Sequence, residues 1–261
     1  MLGSSAQQRD LETDTTIGKI PGTGRVALIS SRLIATAFSG LASGQDVWPG
    51  PTPEYALPTA GESWEIVCSN AGDTVGGAGA ETVTLTILDT AYNPLATLVV
   101  NLNGGTVAVP GGAVNFRLND ARTGAINATG GRRRPLGDIT IRQVGTGTVR
   151  GIIPALSGTL QQAVYTVPAG RTLTVDNIEA QLLSSGGGTT RGADFLLLFR
   201  APNGSTTAPR MIGTTDARPY VLEAKTKIRV AEKFDFIQQC IYTSHNNIRV
   251  GISWEGDLNT N

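Results

Sequence analysis

His245 is the one histidine in 261 residues, which makes it the first place to look for catalysis. A Ser-His-Asp system needs an acid to orient the imidazole and a nucleophile beside it. Thr243, Ser244, Asn246 and Asn247 surround His245 instead, and that composition suits a turn between two strands. No G-x-S-x-G nucleophile elbow occurs in the chain. Cys68 and Cys240 are far apart and have no second histidine to join them, so no set stands at zinc-ligand spacing. Two isolated cysteines make no disulfide framework and read as reduced, buried residues.

Carboxylates are the other route to chemistry. Glycoside cleavage needs two of them facing one bond, roughly 5 to 9.5 Å apart. Asp73, Asp89, Asp120, Asp138, Asp176, Asp194 and Asp216 are scattered, mostly beside Gly, Thr or Asn. Such residues commonly bond the local backbone in turns. Gly22-Thr23-Gly24 followed by Ala27 imitates a dinucleotide loop, but Pro21 precedes it and no amphipathic helix follows. The expectation is a protein without enzymatic activity, cofactor or metal.

Binding residues are easier to nominate. Arg132, Arg133 and Arg134 form the one local charge run, set between Gly131 and Pro135. Three readings are open: a solvated loop, a contact with carboxylates on a neighbouring subunit, which guanidinium forks bind bidentately, and, as a lesser option, nucleic acid, for which three charges give little affinity. Trp48 sits in a proline-rich stretch, Asp46 to Pro53, as either a packed loop or a plug between subunits. Trp64 and Trp254 lie in strand patterns and read as core. Ile17, Ile20, Pro21 and Arg25 belong to an N-terminal stretch with too few apolar residues for a core of its own. That stretch is either a loose terminus or a segment that becomes ordered on a neighbour.

The elements that must position these residues are strands. Val83, Leu85 and Ile87 alternate with Thr82, Thr84 and Thr86, the period of a strand with one buried face. Similar signals appear at 64–69, 95–102, 113–118 and 138–144, with a hairpin connection at 89–94. About eight more follow at 163–167, 172–182, 193–200, 209–212, 220–222, 226–231, 234–242 and 248–254, within the usual strand lengths. The run Phe195 to Phe199 lacks alternation and reads as a central strand covered on both faces. Val26, Leu28 and Ile29 suit a short strand within the N-terminal stretch. The expected fold is all-β: an extended arm over residues 1–34, a β-sandwich over 35–150, a linker over 151–162 and a jelly-roll-like β-sandwich over 163–261, in tandem.

Composition narrows the function. Apolar residues reach 40%, enough for globular packing, while charged residues are only 16%. Low charge suits surfaces that neighbours cover. Basic and acidic side chains balance at 21 each, so no basic excess draws the chain to nucleic acid. Aromatics at 5% give little for stacking bases or sugars. Residues 1–10 lack the pattern of a secretory signal, and no apolar stretch approaches the ~20 residues of a membrane helix.

Several segments carry a resemblance. Val47-Trp48-Pro49-Gly50 is followed by Gly61-Glu62-Ser63-Trp64-Glu65-Ile66-Val67, then by Asp73-Thr74 and Gly77-Ala78-Gly79-Ala80-Glu81-Thr82-Val83. Leu88-Asp89 to Tyr92, Leu102-Asn103-Gly104 and Tyr165-Thr166-Val167-Pro168-Ala169-Gly170-Arg171 complete the pattern. Over roughly residues 46–200 the chain resembles accessory virion proteins of tailed bacteriophages. The resemblance implies a fibre, decoration or tail-associated protein, made in the host cytoplasm and carried on the virion. It implies self-association, commonly as a homotrimer, and attachment to portal, adaptor, tail or major capsid protein. No catalytic residue carries over. A host-receptor-binding or glycan-cleaving tail protein is the second expectation.

Overall fold

Short alternating runs punctuated by Gly, Pro and Asn favour strands over helices, and the computed structural model is all-β. It describes residues 25–31, 36–38, 45–52, 54–124, 134–162, 164–183, 193–214, 228–243 and 248–261. Among these residues there are seventeen strands, one 3-10 turn at Gly112–Val114 and no α-helix. In chain order the strands are β1 (Arg25–Ser31), β2 (Thr36–Phe38), β3 (Gln45–Asp46), β4 (Trp64–Cys68), β5 (Thr82–Leu88) and β6 (Leu98–Asn101). Next come β7 (Thr106–Ala108), β8 (Arg117–Gly124), β9 (Ile139–Gln143), β10 (Val149–Ile153), β11 (Val164–Thr166) and β12 (Arg171–Leu183). The last are β13 (Ala193–Arg200), β14 (Thr206–Thr214), β15 (Ile228–Val230), β16 (Asp235–Thr243) and β17 (Ile248–Thr260).

Four antiparallel sheets result. Two have the orders β10-β9-β4-β7 and β6-β5-β8. Trp64, Ile66, Ile139 and Ile141 of the first meet Val83, Leu85, Ile87 and Leu118 of the second in one apolar cluster. The other two run β1-β17-β12-β15, with β2 also on β17, and β11-β16-β13-β14, with β3 also on β16. Leu173, Val175, Trp254 and Leu258 share a cluster there with Tyr165, Phe195, Leu197 and Phe236. We refer to these as the first and second sheet pairs.

Local pattern explains the faces. Val83, Leu85 and Ile87 point into the first core while Thr86 is exposed. On β13, Phe195 and Leu197 enter the second core, and Leu198 packs on a separate cluster around Trp48 and Tyr55. This strand lies between β16 and β14 with apolar contacts on both faces, so its sequence does not alternate. Trp64 and Trp254 are core residues, and both cysteines are buried and not joined in a disulfide.

Connectivity departs from the expected end-to-end order. β1 pairs with β17, β2 with β17 and β3 with β16, so the first described strands belong to the second sheet pair. It then crosses to build the first pair and returns at β11. The first pair is therefore nested within the second. Residues 25–31, expected as the end of an extended arm, instead cover the flank of β17, which would otherwise present unpaired backbone groups. Other boundaries move as well. β10 spans the expected division at residue 150 and pairs with β9, so it belongs to the first pair. The expected strand at 113–118 divides into the 3-10 turn and the start of β8. The strand expected at 220–222 lies outside the described residues.

Candidate functional site

The densest polar constellation lies where the two sheet pairs meet. Arg117 opens β8 of the first pair and Asp235 opens β16 of the second. Arg117 Nε donates to Asp235 Oδ1 at 3.1 Å and its Nη2 donates to Oδ2 at 3.3 Å, a two-pronged ion pair. Both side chains are almost wholly buried. A buried charge left unpaired costs several kcal/mol, so the geometry must satisfy every lobe of both groups. Arg117 Nη1 donates to the Pro58 carbonyl at 2.6 Å, and the guanidinium carbon lies 3.9 Å from the centre of the Phe116 ring. Thr166 Oγ1 donates to Asp235 Oδ1 at 2.6 Å.

Neighbouring contacts reinforce the seam. Asn119 on β8 and Thr166 on β11 form a reciprocal pair: Asn119 Nδ2 donates to the Thr166 carbonyl, and the Thr166 N–H donates to Asn119 Oδ1. Gln162 Nε2 donates to the carbonyls of Leu118 and Val164, bridging the crossing chain to β8. The Ala169 N–H donates to the Tyr92 carbonyl, seating the Val167-Pro168-Ala169-Gly170 turn on the 89–94 hairpin. Tyr92 itself has φ 68° and stacks edge-on against Phe116.

A second knot holds the outward crossing. Arg150 donates to Glu62 through Nε at 2.9 Å and Nη2 at 2.6 Å, and to the Ala56 carbonyl through Nη1. The Tyr55 hydroxyl donates to the Arg150 carbonyl at 2.8 Å. Burial raises the Tyr55 phenol well above its ordinary pKa, so it stays a neutral donor. Asp46 accepts from the Tyr55 N–H at 2.6 Å and from Gln239 Nε2 at 2.7 Å. Burial raises the Asp46 pKa; the two hydrogen bonds oppose that shift. Trp48 is buried, packs edge-on against Tyr55, and donates Nε1–H to the Thr52 carbonyl. Its ring lies over Gly50, where an added Cβ would come within 1.9 Å of the indole. Only glycine leaves room for that fold-back.

Of the nominated residues, the structure describes Trp48, Arg25 and Arg134, and it sets them at three separate places. Trp48 is enclosed by its own chain and offers no plug to a neighbour. Arg25 opens β1 opposite Asn259. Arg134 is exposed at the far end of the first sheet pair. Ile17, Ile20, Pro21, Arg132, Arg133 and His245 lie outside the described residues. Carboxylates read as turn residues do bond the backbone. Asp89 accepts from the N–H groups of Ala91 and Asn93, and Asp138 accepts from Ala155. Asp73, fully buried, accepts from Ala80, Leu136 and Gly137 and so ties two loops together. Among the described residues no group of three or more His, Cys, Asp or Glu gathers as metal ligands.

Sequence reasoning missed the junction residues. A signal was present: Phe116-Arg117-Leu118 and Phe234-Asp235-Phe236 each hold one charge between apolar neighbours in a strand pattern. Chemically the junction is a fastener. Arg117 and Asp235 are spent on each other and on backbone or hydroxyl partners, with no nucleophile presented to solvent.

No family model matches the chain, and no curated protein matches it. Among solved structures it is similar to infectious bursal disease virus, Gt strain, at 12% identity over 95% of this chain and 77% of that chain, with a TM-score of 0.21. The Gx strain of the same virus gives 12% identity, 96% and 77% coverage and a TM-score of 0.21. Its VP2 subviral particle gives 11%, 95% and 76%, with a TM-score of 0.13. Overlaps this slight assign neither fold nor function.

Proposed function

We propose that this chain is a non-enzymatic structural component of a tailed-phage virion, a fibre or decoration protein whose N-terminal segment anchors it to tail, portal adaptor or capsid subunits. Each sheet pair is read as a β-sandwich, and the assembled protein as a homotrimer. The observation that carries the reading is the junction itself. The Arg117–Asp235 pair, the Asn119–Thr166 pair and the Trp48 cluster join the sheet pairs into a stiff body suited to bearing contacts rather than closing on a substrate. The sequence resemblance over residues 46–200 and the low surface charge support the same role.

The test is a deletion that stops short of β1. Removing residues 1–24 spares the strand that pairs with β17. The shortened chain is expected to fold normally by circular dichroism and to be missing from assembled particles. Full occupancy of particles by the shortened chain would overturn the anchoring role. Sedimentation of the intact protein checks the trimer.

A further inference from the structure

The two long sides of the first sheet pair are finished differently. Residues 158–162 close one of them. The Thr123 N–H donates to the Gly158 carbonyl and the Leu160 N–H to the Ala121 carbonyl, which covers the outer side of β8. The Gln161 N–H donates to the Ile152 carbonyl on β10, so the same segment stitches one sheet to the other. β6 and β7 form the opposite side, where the turn 102–105 joins the sheets. Among the described residues β6 pairs only with β5, and β7 only with β4. On β7 the Thr106 carbonyl accepts from Asn103 Nδ2 at 3.3 Å, which leaves β6 as the open ladder.

Ladder phase identifies the groups left over. The Leu102 N–H donates to the Glu81 carbonyl, and the pairs Val83↔Val100 and Leu85↔Leu98 continue that phase along β5. The backbone N–H and C=O groups of Val99 and Asn101 therefore point away from β5. An edge of this kind invites pairing, and proteins guard it with charge, proline or a bulge. β6, Leu98-Val99-Val100-Asn101, has neither charge nor proline, and its ladder with β5 runs without a register shift. The Val99 side chain is 60% exposed. Freedom from charge extends well beyond the strand. Residues 90–116, which supply β6, β7 and the turns flanking them, contain no Asp, Glu, Lys, Arg or His, the longest such run in the chain.

Charge, register and extent point to one occupant, a second copy of this chain. A strand bearing charges would have to strip water from them against an edge that offers no counter-charge. A second β6 is as free of charge as the edge it meets. Register matches as well. The outward residues Val99 and Asn101 flank Val100 symmetrically, so a two-fold axis at Val100 sets each outward residue against the other kind. Such self-matching is what a two-fold contact requires of one surface patch. Of the 27 residues in the uncharged run, sixteen are exposed. That number is close to the roughly 20 residues a side of a specific interface.

We infer that β6 pairs antiparallel with β6 of a second copy about a two-fold axis at Val100, so that the β6-β5-β8 sheet runs on through both chains. Val99 of each copy then lies opposite Asn101 of the other, and each such pair exchanges both N–H···O bonds. The contact is separate from the three-fold association proposed above and joins single chains or trimers alike. Sedimentation velocity and hydrogen exchange on the full chain test it. Wild type is expected to sediment as a dimer or a hexamer. Val99→Lys changes an exposed side chain and places like charges on both sides of the axis. It should halve the sedimenting mass while the circular dichroism spectrum stays the same. If lysine disturbs the fold, Asn101→Pro takes its place, since it removes an outward N–H and edge strands tolerate that loss. The Val99 and Asn101 amides should exchange about tenfold or more slowly in wild type than in the halved variant. A wild-type mass that the folded variant leaves unchanged overturns the inference. So does free exchange of both amides in wild type, or their protection in a species sedimenting as a monomer or trimer, the mark of cover by the chain itself.

Discussion

Arg117 and Asp235 show how a single buried pair can decide the behaviour of a whole molecule. Removing either partner leaves the other charged, desolvated and without its fork, and Asp235→Ala or Arg117→Ala is expected to cost about 3–5 kcal/mol in urea unfolding. Replacing both by apolar residues, Arg117→Met with Asp235→Leu, should recover part of that loss, because no orphan charge remains although the Thr166 hydroxyl and the Pro58 carbonyl lose a partner. Asp46 makes the complementary case for pH. Its folded-state pKa is raised above the ordinary 3.8, so the folded form holds a proton that the unfolded form has released. The stability it contributes is full below that value and is lost as pH rises through the window up to the folded pKa. The unfolding midpoint of Asp46→Asn relative to wild type should therefore climb with pH across that window and level off above it. The Cys68 thiol, pushed up to about 11 chiefly by burial and then by the Asp73 charge, should resist thiol reagents at neutral pH until the protein unfolds.

Turns and crossings carry the argument at the scale of elements. Gly50→Ala would drive a methyl group into the Trp48 ring, so the outward crossing must shift. A loss of about 2 kcal/mol or more is expected, together with a red-shifted tryptophan emission as the indole meets water. Leu156→Gly should do the opposite. An exposed side chain is lost but positive-φ strain of about 1–3 kcal/mol is relieved, which exceeds the ~0.5–1 kcal/mol entropic cost of glycine. Thermal unfolding is expected at an equal or higher temperature. Strand identity was largely legible in the residues, since alternation in Thr82–Leu88 and the unbroken run at Phe195–Phe199 report local burial directly. Pairing was not. Nothing within Val26, Leu28 and Ile29 says that their partner lies more than two hundred residues on, because a ladder needs only matching backbone from any source. The junction escaped for a related reason: Arg117 and Asp235 each look like an isolated polar interruption until the fold places one against the other.

As a whole, the chain behaves as two cores locked by one polar seam. Limited proteolysis should spare the crossings at 47–52, 54–57 and 160–162, since the first two stretches are packed by Trp48 and Tyr55 and the last is bonded through Gln162. Early cutting there, ahead of any other site, would show that the seam opens in solution. Nesting has a mechanical corollary. Arg25 faces Asn259 across the β1–β17 ladder, so a pull delivered through the preceding residues is borne first by that ladder. The nested sheets hang outside the line of tension, free to vary in size or cargo while the strand that takes the strain stays the same.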